Sequence, residues 1–158
     1  MEELYVLAFR DAISTVFSTM LSVEVQVGDP VASRANGYDV SGIISFSGEM
    51  VGAAALCFEA GTAKNLVKSF TGMEIATDDP DFADAIGELA NMVGGNAKSR
   101  FDGKNVNLSC PSVVIGNGHQ IHQRKDMPLV NLPCTCSAGS FSVEVTLKES
   151  GSELSAAA

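Results

Sequence analysis

Nowhere in this chain of 158 residues do apolar positions run on far enough to cross a bilayer, although 46% of the residues are hydrophobic. A membrane-spanning helix needs about 20 consecutive apolar residues, so the apolar content is expected to serve a folded core. Basic residues are scarce: 10 Lys and Arg stand against 19 Asp and Glu, a formal net charge of −9. The only basic clustering is the short stretch from Lys98, Ser99 and Arg100 to Lys104. Phosphate backbones and anionic lipid surfaces are held by collected positive charge, so neither nucleic acid nor a membrane is expected as a partner. A leader peptide is not apparent, because Met1-Glu2-Glu3 is acidic and Arg10 and Asp11 interrupt the apolar stretch that follows. The cytoplasm is the expected location.

Several catalytic signatures are missing as well. There is no Ser/His/Asp order, nucleophile elbow, phosphate-binding glycine loop or dinucleotide fingerprint, and Gly94-Gly95 falls inside a predicted helix instead of before one. The four cysteines, Cys57, Cys110, Cys134 and Cys136, lie in segments that read as strands. A chain of this size can bury an adequate core without cross-links, so all four are expected to be reduced core residues. Residues 1–150 are expected to form a single domain, and Gly151 to Ala158, which carries no pattern, a disordered tail.

What is present reads as alternating helix and strand. Val6, Phe9, Ile13, Val16, Phe17 and Met20 recur at helical spacing between Glu3 and Leu21. Val23 to Val27 alternates apolar and polar and meets a turn at Gly28-Asp29-Pro30. Tyr38 to Ser47 and Met50 to Phe58 form a predicted antiparallel hairpin about Gly48-Glu49, and Thr62 to Phe70 a short helix stopped at Gly72. The best-signalled element is a helix from Pro80 to Phe101: Asp79 can cap it, Pro80 suits its first position, and Lys98 and Arg100 complement its dipole before Gly103. Further strands are expected at Val106 to Cys110, Ser112 to Ile115, Leu129 to Cys136 and Phe141 to Leu147, with a turn at Asn117-Gly118. Pro133 has no amide to donate, which predicts an edge strand or a bulge. The expected fold class is α+β, with two long helices and a short one on one face of a mainly antiparallel sheet. Phe-x-Asp-Ala-Ile occurs at Phe9 and again at Phe82, which suggests an internally duplicated helix-plus-strands unit.

On the long helix, Phe82, Ile86, Leu89, Val93 and Ala97 make a buried stripe, while Asp84, Glu88, Asn91, Gly95 and Lys98 follow a second one. Glu88 and Asn91 should project side by side. Glycine inside a helix costs about 1 kcal/mol relative to alanine, yet Gly87, Gly94 and Gly95 all lie on or near the polar stripe. Either they open the surface to another protein or they allow close packing on a neighbouring element.

The run from Asp84 to Asn91 resembles the Asp/Ser-x3-Glu-x2-Asn signature of the CheC, CheX and FliY chemotaxis phosphatases, and the likeness extends in element order through Pro111-Ser-Val-Val-Ile-Gly116. The matching part of the first helix reads Asp11-x3-Thr15-x2-Ser18, which favours a one-site CheX-like protein over a two-site CheC-like one. Pro111 follows Asn91 sooner than the signature proline does and is given no catalytic role.

The resemblance implies a phosphatase acting on the phospho-aspartate of a CheY-like response regulator. Glu88 and Asn91 would be catalytic, and Asp84, Gly87, Gly94, Gly95 and Lys98 would touch the partner. It implies no cofactor on this chain, with Mg2+ supplied by the response regulator, and a homodimer assembled through sheet strands. The alternative is a non-catalytic adaptor that binds a response regulator through the same face. A metal centre built from His119, His122, Cys134 and Cys136 is disfavoured, because neither pair has the spacing of a zinc finger or a zincin.

Overall fold

The computed structural model describes residues 1–33 and 37–151 of the chain. Among these described residues three helices, α1 (Glu3–Met20), α2 (Ala60–Thr71) and α3 (Pro80–Lys98), accompany seven strands. The strands are β1 (Gln26–Val27), β2 (Tyr38–Gly48), β3 (Met50–Phe58), β4 (Val106–Leu108), β5 (Ser112–His119), β6 (Leu129–Cys136) and β7 (Gly139–Glu149). They make one sheet in the order β1-β6-β7-β3-β2-β4, with β5 also paired to β2, and every pairing is antiparallel.

Period-two alternation decides which side of the sheet the helices cover. Val40, Ile44 and Phe46 of β2, Ala54, Leu56 and Phe58 of β3, and Phe141, Val143, Val145 and Leu147 of β7 are buried in one cluster with the apolar stripes of all three helices. Phe101 joins that core just beyond α3, in contact with Tyr5, Phe9 and Phe46 at ring separations of 5.5 to 5.9 Å. The two echoed segments sit alike in it: Phe9, Ala12 and Ile13 of α1 and Phe82, Ala85 and Ile86 of α3 are all buried, and Asp11 and Asp84 are exposed.

Helix α3 begins as its sequence demands. Asp79 Oδ1 accepts the Asp81 amide at 2.9 Å, and Pro80 occupies the first turn. Its end comes three residues before the predicted one. The Arg100 and Phe101 amides reach back only three residues, to Ala97 and Lys98 carbonyls, and Asp102 and Gly103 then take positive φ. The first strand also falls short of its predicted span, because Ser22 at φ 55 and the Val23 amide, bonded to the Phe17 carbonyl, keep the chain folded onto α1.

Three further expectations are corrected. Asn117-Gly118 makes no hairpin turn: β5 continues to His119, and the extra residues form a bulge where the register moves from Val40↔Ile115 to Tyr38↔His119. Cys110 is neither in a strand nor in the core. It lies exposed in a second irregularity, Ser109 to Pro111, that separates β4 from β5. The other three cysteines are also free; burial pushes the Cys57 and Cys134 thiols up to about 12, which leaves them unreactive. Finally, His119 is not a freely exposed hairpin residue. Its Nε2 lies 2.7 Å from Ser41 Oγ and its Nδ1 2.7 Å from the Gly116 carbonyl, with β2, β3 and β7 between it and the cysteines of β6.

Pro133 behaves as its chemistry requires. Among the described residues its strand β6 is covered on the outer side only by the two-residue β1 and a bridge at Val31, and the Pro133 carbonyl accepts the Gly28 amide at 2.7 Å. The tail from residue 152 onward, for which disorder was expected, lies outside the described residues.

Candidate functional site

The site is built on α3, and two glycines let that helix lie close to the sheet. A Cβ on Gly42 of β2 would stand 3.0 Å from the Ile86 carbonyl, and one on Gly94 would stand 2.9 Å from Ile44 Cγ2. Small residues at both points bring helix and strand into direct contact, so the outward stripe is carried on a firmly seated element. The far end is tied to α1 as well, where Arg100 reaches both Asn96 Oδ1 at 3.2 Å and Thr15 Oγ1 at 3.5 Å.

The predicted polar stripe is present. Asp84 and Glu88 are exposed, and Asn91, Gly95 and Lys98 are half-buried along the same side. Neither Glu88 nor Asn91 is held by a hydrogen bond or an ion pair among the described residues. An unpaired carboxylate one turn from an unpaired carboxamide offers acceptors and donors to a visiting molecule, with no internal bond to break first.

The three glycines divide between the two readings the sequence left open. Gly94 faces Ile44 in the core, and a Cβ on buried Gly87 would touch Pro111 Cγ and Val113 Cγ2 at 3.4 Å. Packing therefore accounts for both of them. Gly95 alone lies on the open side, with Leu108 Cδ1 at 3.8 Å from where its Cβ would be. Beside it, Gly95, Lys98, Ser99, Gly103, Lys104 and Leu108 line a shallow depression of about 460 Å³. Its positive rim is partly engaged, since Lys104 pairs with Glu149 at 3.1 Å.

Sequence reasoning missed the flank of the site. Between β4 and β5 the register against β2 moves by one residue, from Phe46↔Leu108 to Ile43↔Ser112. The bulge is pinned by Ser109, whose amide donates to the Ser45 carbonyl at 2.9 Å and whose Oγ accepts the Ser45 amide at 3.0 Å. Pro111, lacking an amide, fits an interrupted ladder, and the bulge turns its ring over Gly87, one residue from Glu88.

Comparison with known proteins now supplies the family. The family model described as chemotaxis phosphatase CheX matches residues 40–135, more than half of the chain. This chain belongs to the CheX family.

Solved structures agree. A chemotaxis protein CheX from Desulfovibrio desulfuricans is 30% identical, with a TM-score of 0.84, 91% of this chain covered and 99% of that one. CheX from Vibrio vulnificus is 27% identical, with a TM-score of 0.83 over 91% and 99% of the two chains. A CheX–CheY–BeF3–Mg2+ complex from Borrelia burgdorferi matches at 23% identity, with a TM-score of 0.78 over 92% and 98%; at that identity the likeness is one of fold. Comparison with curated proteins returned no match. As a CheX-family chain this protein is a chemotaxis phosphatase, and its chemistry is hydrolytic. No helix among the described residues is long and apolar enough to cross a membrane.

Proposed function

We propose that this CheX-family chain removes the phosphoryl group from the phospho-aspartate of a CheY-like response regulator, with Asn91 positioning the attacking water and Glu88 holding the regulator in register. The observation that carries the reading is the pair itself: Glu88 and Asn91 lie on one outward stripe of α3, neither engaged among the described residues. An aspartyl phosphate already has a good leaving group, so the catalyst must chiefly place a water in line with phosphorus. The water oxygen bonds to phosphorus as the bond from phosphorus to the aspartyl oxygen breaks, giving a free aspartate and inorganic phosphate, with the proton passing to phosphate or solvent.

Asn91 suits the first task because a carboxamide can both accept from and donate to a water but has no useful acid or base function. Glu88, three residues before it, can make a charge-assisted hydrogen bond with a lysine beside the phosphorylation site. Mg2+ belongs to the regulator in this scheme, and the Borrelia complex contains CheX and CheY with BeF3 and Mg2+. Asp84, one turn before Glu88, and Lys98, at the rim of the depression, would be contacts of the docked partner. Residues 1–150 acting as one domain and pairing of two copies through sheet strands complete the proposal.

The test follows phosphate loss from a phosphorylated CheY-like regulator of the same cell. Wild-type protein should accelerate it, and Glu88→Ala should raise the regulator concentration needed for half-maximal rate by about tenfold, in line with losing a hydrogen bond to a charged group. A wild-type protein that binds the regulator without accelerating loss of phosphate would replace this reading with that of an adaptor.

A further inference from the structure

We propose that Ile115, with Pro111 and Val113 behind it, is an apolar anchor that docks the response regulator beside the Glu88–Asn91 stripe; this rests on the function proposed above. Register places the side chain. Ile115 pairs with Val40 and Val113 with Gly42, residues of β2 that face the helices, so Ile115 and Val113 share the helix side of the sheet. Val113 is half-buried against the site of Gly87, whereas Ile115, one step further along the edge, leaves 43% of its surface exposed. The edge and α3 run alongside each other: Leu108 lies against Gly95, and Pro111 and Val113 lie against Gly87. Following that direction, the strand carries Ile115 beyond Gly87 toward the start of α3.

The occupant follows from continuity. Pro111 and Val113 stand 3.4 Å from where a Cβ on Gly87, the residue next to Glu88, would lie, so a globular partner that brings a reactive group to Asn91 is set down beside this edge. Large exposed apolar side chains on a sheet edge are a liability that proteins normally blunt, and here they border the site. A partner anchored by an apolar contact and oriented by Glu88 would combine affinity with register, the usual division between a buried anchor and its polar surround.

Val114 supplies the control. It is 40% exposed on the same strand, but it pairs with Ser41 and so points to the opposite side of the sheet. With the full chain and the phosphorylated regulator, Ile115→Asp should raise KM at least tenfold and leave kcat within about twofold of wild type, while Val114→Asp should change neither. Binding of the beryllofluoride-loaded regulator should weaken by the same factor in Ile115→Asp, whether or not the wild type hydrolyses, so this anchor can stand if the catalytic reading fails. An unchanged KM and affinity, equal losses in both variants, or no binding by the wild type overturns the proposal. So does conversion of a dimer to a monomer by Ile115→Asp with regulator affinity intact, which would assign the edge to a second copy of this chain.

Discussion

Replacing Asn91 by alanine should slow dephosphorylation of the regulator by about a hundredfold while leaving its affinity nearly unchanged. The size follows from the task. Removing one well-placed hydrogen-bonding group from an active site costs on the order of 3 kcal/mol of transition-state stabilisation, about two powers of ten in rate. The loss should fall on kcat, because a carboxamide that orients water acts only once the partner is in place. Asn91 is half-buried on a helix seated against β2 through Gly42 and Gly94, so truncation leaves its surroundings where they are. The experiment is a saturation curve of phosphate release for wild type and Asn91→Ala. An effect confined to KM would make Asn91 a docking residue and move the water elsewhere.

Asp84 gives the comparison that separates roles. It is exposed, one turn before Glu88 on the same stripe, and further from Asn91. Asp84→Ala should therefore have a weaker effect than Asn91→Ala in the same assay, and equal losses from the two would contradict the division of labour along α3.

The elements that could be read from sequence are those whose signals are local. Asp79, Pro80 and the period-3.6 stripe of Phe82, Ile86, Leu89, Val93 and Ala97 set the start and the inward face of α3 without reference to anything else in the chain, and all five stripe residues are buried. The outward positions of Asp84 and Glu88 follow by subtraction. The same holds for β3, whose Met50 and Phe58 limits coincide with the predicted ones. What escaped the sequence depends on pairing between distant segments. Asn117-Gly118 carries the composition of a hairpin turn, but the partner of β5 is β2 at the other end of the chain, and that pairing absorbs the two residues as a bulge. Cys110 lies exposed for a similar reason, since nothing near it in sequence announces the register change at Ser109 to Pro111. The apolar flank of the site was hidden with it: Ile115 lies on the helix side of the sheet because of the register that the Ser109 to Pro111 irregularity imposes. Gly94 shows the converse, a residue whose place in the motif suggests a partner and whose surroundings, Ile44 above all, supply packing instead.

Gly52→Ala should be the most destabilising small substitution in the molecule, lowering the free energy of unfolding by about 4 kcal/mol or preventing folding. Gly52 lies in β3, between β2 and β7, with φ at +152. A Cβ there would fall far inside van der Waals contact distance of the Thr146 carbonyl oxygen and crowd the Thr146 carbonyl carbon and Leu147 Cα. These are backbone atoms of β7, so no rotamer change can relieve the clash; the β3–β7 ladder must part, and with it the cluster of Ala54, Leu56, Val143 and Val145 on which the helices rest. Gly61→Ala separates this clash from the loss of a glycine as such. Gly61 is in the first turn of α2 with nothing within 4 Å of its Cβ position, so alanine there should hold or slightly raise stability. Denaturant unfolding of both variants decides the matter: a Gly52→Ala midpoint close to that of wild type would mean that β3 and β7 are not paired in the register Gly52↔Leu147, and the core beneath α3 would have to be rebuilt.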